Sequence, residues 1–150
     1  MKKLIIKHVG LSLIIILLLT NCDYSDVRLT FFNHWNRPVS VEYSNDSIPN
    51  SMNLVEYYLA NSIKPGESKI LYKRGTSTAW LDYVKDNKDL QLYLYVYDLD
   101  TLSKYHNMDF IRKHKLYINK IQLTLDELNK SKWKINFYGP IAESGVHIVH

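Results

Sequence analysis

Chemistry needs acids, imidazoles, thiols or phenols held at workable spacing, and four such groups stand out in this 150-residue chain. Asp98 and Asp100 put two carboxylates at the end of a strand-like run. A calcium loop of the EF-hand type would also need an oxygen ligand at its fifth position and Gly at its sixth, where Leu102 and Ser103 stand. The pair reads as turn-forming. Glu143, His147 and His150 are three and four apart near the C-terminus, a spacing that gathers ligands only on a helix, which Gly145 interrupts. No metal or cofactor is expected, and residues 141–150 read as an exposed tail. Gly-x-Ser-x-Gly, His-Glu-x-x-His, P-loop and dinucleotide motifs are all missing from a chain with 5 Gly, so no catalytic residue is assigned and a non-enzyme is expected.

The third group is phenolic. Of the 12 Tyr, Tyr93, Tyr95 and Tyr97 alternate with Leu92, Leu94 and Val96 along one strand-like run. Tyr has a flat apolar body and a polar tip suited to protein or glycan contacts, so these three are the candidate partner-binding surface. A Tyr row also has high strand propensity and can lie under a helix or an opposing sheet. Both readings stand at the level of sequence.

The fourth group is the single thiol, Cys22. It follows a basic start (Lys2, Lys3, Lys7), an apolar stretch over 9–19 and the polar pair Thr20-Asn21, the layout of a cleaved secretory signal. Eleven apolar residues span roughly 16 Å as a helix, against about 30 Å of bilayer hydrocarbon. Leu19-Thr20-Asn21-Cys22 resembles the lipobox of bacterial lipoproteins, with Asn21 where Gly, Ala or Ser is usual. That resemblance implies cleavage before Cys22 and a lipid anchor on its sulfur, which at about 0.8 kcal/mol per buried CH₂ would hold the protein on its membrane. With the sulfur used, disulfides, thiolate catalysis and Cys-ligated metals are excluded. Removing Lys2, Lys3 and Lys7 from the 19 Lys and Arg leaves 16 against 15 Asp and Glu, a net charge of +1. Nucleic acid is therefore not an expected partner.

These groups need a scaffold. With 46% hydrophobic and 23% charged residues, the composition excludes a disordered tail, a collagen-like repeat and a disulfide scaffold. Period-two alternation marks strands over 27–31, 39–43, 69–73, 90–97, 116–124 and 133–138, the first two as neighbours joined through the polar junction 33–38. Pro65-Gly66 marks a hairpin or a corner where the chain changes sheets. Residues 51–62 fit either a helical face or an irregular edge strand. Thr124 and Glu127 make a capping box for a short connecting helix, and residues 77–85 and 108–114 are similar brief candidates. The expected fold is mainly β: a single β-sandwich-like domain of about seven short strands with two or three short connecting helices. Its organisation reads as a cleaved signal over 1–21, an acylated Cys and tether over 22–26, the β-rich domain over 27–140 and the tail over 141–150.

The run from Tyr117 through Leu123-Thr124-Leu125-Asp126-Glu127-Leu128 to Trp133-Lys134-Ile135-Asn136-Phe137-Tyr138-Gly139-Pro140 is similar to a group of small lipoproteins from Bacteroidota. The region of Trp80, Asp89 and Leu94-Tyr95-Val96-Tyr97-Asp98 is similar too. A Gly before Pro140 and the tail that follows depart from that group's pattern. The resemblance carries no activity across; it implies a membrane-anchored protein of the cell envelope, with Asp23 and Asp26 favouring the outer membrane over the inner. The expected function is a non-enzymatic binding module for a protein or glycan partner, with a structural envelope protein or a small envelope hydrolase as alternatives.

Overall fold

A computed structural model describes residues 24–45 and 53–140. Cys22, the segment preceding it and the tail 141–150 with Glu143, His147 and His150 lie outside the described residues. Among the described residues no helix is long and apolar enough to cross a membrane.

The described residues form a mixed α/β structure with six strands in two three-stranded sheets. In the first sheet β1 (Ser25–Asn33) is central, antiparallel to β3 (Ser68–Arg74) and parallel to β6 (Lys134–Phe137). In the second, β4 (Gln91–Asp98) is central between β2 (Val39–Ser44) and β5 (Asn119–Thr124), all antiparallel. Five short helices complete the described elements: α1 (Val55–Ala60), α2 (Ala79–Lys85), α3 (Leu99–Tyr105), α4 (Met108–Lys113) and α5 (Leu125–Lys130).

The alternation of β4 explains the layering. Leu92, Leu94 and Val96 are fully buried in a cluster with Leu29 and Phe31 of β1 and Ile135 and Phe137 of β6, so the apolar faces of the two sheets meet there. Trp80 and Val84 of α2 and Leu128 of α5 join that cluster. Tyr93, Tyr95 and Tyr97, on the other face, pack with Val55 and Tyr58 of α1, Leu102 of α3, and Met108 and Ile111 of α4. The second sheet therefore has a sheet on one face and helices on the other, which is why its central strand has no polar side. Each fully buried aliphatic contributes roughly 1.5–3 kcal/mol.

Several expectations are corrected. β1 and β2 are not neighbours; they lie in different sheets, and the junction between them is a crossing. Asn33 holds it: its fully buried amide donates to the carbonyls of Arg37 and Ile63, both at 2.9 Å, and accepts from the Trp35 amide at 3.1 Å. Of residues 51–62, the described part from 53 onward contributes the helix α1 and no seventh strand, with Val55 and Tyr58 inward. There are five described helices where two or three were expected. One of them, α3, begins where Asp98 and Asp100 read as a turn, because Asp98 caps it through the Thr101 amide at 2.8 Å. The Pro65-Gly66 corner does change sheets: Ile63 bridges Val39 of the second sheet, Gly66 turns at φ +78°, and β3 joins the first. β1 starts at Ser25, so Asp26 belongs to the sheet and not to a tether. It is buried, accepting from the Trp80 amide at 3.1 Å and from Arg28 Nε at 2.9 Å. Gly139 lies so near Trp35 that a Cβ there would come within 2.6 Å of its ring, so this glycine lets the chain leave β6 past an indole.

Candidate functional site

The Tyr row does not form a surface. Tyr95 and Tyr97 are 0% exposed and Tyr93 3%, because α1, α3 and α4 cover the face they share. Contact with a partner through these three residues is therefore corrected to a structural role. Tyr97 donates to Glu42 Oε2 at 2.8 Å, and Tyr93 donates to Asp89 at 3.1 Å. Arg112 of α4 reaches the same carboxylate, with Nη2 2.8 Å from Glu42 Oε1 and Nε 3.3 Å from Oε2. Burial, followed by the negative charge of Glu42, pushes the Tyr97 phenol well above its usual range. Burial opposes the Arg112 charge, but hydrogen bonding and attraction to Glu42 outweigh it and leave the guanidinium's pKa raised. This buried pair pins the helical layer to β2, with Tyr97 also donating to Glu42 and Asp109 lying 3.8 Å from Arg112 Nη1.

Asp98 and Asp100 do not converge on a cation. Asp98 takes both the amide and the hydroxyl of Thr101 at 2.8 Å, while Asp100 pairs with Arg37. Among the described residues no group of three or more His, Cys, Asp and Glu is placed to hold a metal.

The feature that sequence reasoning missed is a cleft of about 450 Å³ between the two sheets, where β2 and β3 are the outer strands. Residues 40–43 of β2 and 69–74 of β3 line it without a gap, together with Tyr57, Tyr58 and Asn61 at α1, Ile63 and Tyr83. Side chains of a strand alternate between faces, so consecutive residues can line one cavity only where it runs along the strand's edge. The cleft thus follows the edges of two strands at once.

Its chemistry is cationic and aromatic. Lys69 Nζ donates to the backbone carbonyl and side-chain oxygen of Asn61, both at 2.8 Å. Lys73 Nζ sits 3.9 Å from the centre of the Tyr83 ring and 5.4 Å from that of Tyr43. Burial lowers the pKa of both lysines. It also raises the Tyr83 phenol to about 12, against a hydrogen bond to the Asn45 backbone that works the other way, and raises Tyr43, with neighbouring phenols adding to the effect. Among the described residues of the lining the one carboxylate is that of Glu42, and it is held by Arg112 and Tyr97. Among the described residues neither lysine has a carboxylate within ion-pairing distance. Such a site can receive negative charge and apolar surface. The signal for it in the sequence is the alternation Lys69, Leu71, Lys73, which places cations on the inward face of a strand.

No family model, no curated protein and no solved structure matches the chain.

Proposed function

We propose that this chain is a lipid-anchored, non-enzymatic binding module of the cell envelope, of the kind seen in small Bacteroidota lipoproteins, which takes a protein or glycan partner in the cleft between β2 and β3. The anchor is a lipid on Cys22, and the outer membrane is its favoured site. Support for the anchor comes from the sequence layout around Leu19-Thr20-Asn21-Cys22. Support for binding comes chiefly from one observation: a cleft along two strand edges holds two half-buried lysines with no carboxylate partner among the described residues. Partly desolvating a cation without an opposite charge is unfavourable, and a ligand that supplies the charge removes that cost.

Tyr72 is 55% exposed and lies at the cleft's rim, whereas Phe110, 40% exposed, sits on α4 in the helical layer. With the full chain expressed in its own cells, a photo-crosslinking amino acid at position 72 is expected to give discrete adducts, and one at position 110 none. Adducts from position 110 with none from position 72 would contradict the assignment.

A further inference from the structure

We infer that the cleft receives an extended acidic peptide as an added strand along the outer edge of β3, with carboxylates four residues apart on Lys69 and Lys73 and an apolar residue between them beside Leu71. The inference rests on the cleft being the binding face and names the ligand's chemistry. Among the described residues β3 pairs only with β1, and β2 only with β4 apart from the bridge between Val39 and Ile63. In an antiparallel ladder every second residue turns its N–H and C=O away from the partner strand. The outer edge of β3 therefore offers donors and acceptors repeating about every 6.8 Å, a spacing that only another extended chain matches.

Side-chain pattern then selects which chain. Lys69, Leu71 and Lys73 alternate with the exposed Ile70 and Tyr72, so the inward face of an added strand meets cation, aliphatic, cation. Cross-strand neighbours interact as pairs, and the complement is acidic, apolar, acidic at positions i, i+2 and i+4. The pattern is symmetric and suits either strand direction. A sugar is less well served, because Lys73 already covers the rings of Tyr43 and Tyr83 on which it would stack. Inward lysines can also serve simply to keep edge strands of separate copies from pairing. The glutamine variants separate that role from peptide binding.

The test uses the full chain in detergent micelles and fluorescence anisotropy of three labelled probes. The first is a peptide with a Glu-Thr-Val-Thr-Glu core, the second an isomer with both Glu adjacent and so on opposite faces, the third an oligogalacturonate of equal charge. Saturable binding of the first is expected, about tenfold tighter than the isomer, lost by about tenfold in Lys69→Gln or Lys73→Gln and retained in Lys73→Arg. Retention in the arginine variant separates loss of charge from loss of fold. Equal binding of the two peptides, indifference to both lysines, or wild-type silence with self-association of the glutamine variants would each overturn the inference. Tighter, lysine-dependent binding of the oligogalacturonate would also overturn it while leaving the cleft as the binding face. Failure of that face itself would be read from crosslinking at position 72.

Discussion

At the scale of single residues, the pair Glu42 and Arg112 carries the most. The Glu42 side chain is 0% exposed and that of Arg112 9%, so the buried carboxylate needs the guanidinium beside it. Removing one partner of a buried pair typically costs about 3–5 kcal/mol, because the other is left charged and unsolvated. Arg112→Met is expected to destabilise the fold by about that much in urea unfolding, and Glu42→Gln combined with Arg112→Met to recover part of the loss. An Arg112→Met loss below about 1 kcal/mol would mean that water reaches Glu42. None of this was legible in the sequence: Glu42 stands between Val41 and Tyr43 in an alternation that reads as one apolar and one solvated face. The helix that covers that face, and the guanidinium it carries, come from 70 residues further along. The Tyr row was ambiguous for the same reason, since alternation tells which residues share a face but not what lies above it.

Individual elements were most legible where their signals are local. The capping box at α5 forms as read, with Glu127 Oε2 accepting from the Thr124 amide at 2.8 Å and Thr124 Oγ accepting from the Glu127 amide at 3.3 Å. Those bonds from the Thr124 amide and hydroxyl hold the Glu127 carboxyl below its ordinary value of 4.5. A carboxyl lowered in the folded state binds fewer protons there than when unfolded, so its stabilisation is complete above about pH 4.5 and lost as pH falls through the folded value. Thr124→Ala is expected to cost about 1 kcal/mol at neutral pH, and the gap from wild type to narrow in acid. Chemical denaturation at pH 7 and pH 3 checks both, and a gap that widens in acid would contradict the assignment. The helix α3 escaped notice because an Asp that caps a helix and an Asp that makes a turn look alike over four residues. The expected adjacency of β1 and β2 failed differently. Consecutive strands often pair, but Asn33 ties the junction to Ile63, a residue of the other sheet's boundary that no local pattern announces.

For the whole molecule, the two-sheet core with its helical cover leaves β2 and β3 as the outer strands that flank the cleft. Strand alternation made the core legible, since Leu29, Phe31, Leu92, Leu94, Val96, Ile135 and Phe137 all face the cluster between the sheets. The cleft was not, because it arises from the relative placement of two strands about 30 residues apart that never pair. β1 begins at Ser25, so only Asp23 and Tyr24 separate Cys22 from the first sheet, a reach of about 10 Å when extended. An acylated Cys22 would hold that sheet, and β3 paired to it, close to the membrane. The most direct test of the account is amide hydrogen exchange along β3 and β4 of the full chain, alone and with solubilised envelope fraction. The account predicts slowed exchange in β3 at the cleft and no change in β4 beneath its helices. Unchanged exchange in β3, with protection appearing instead in α3, α4 or β4, would contradict it.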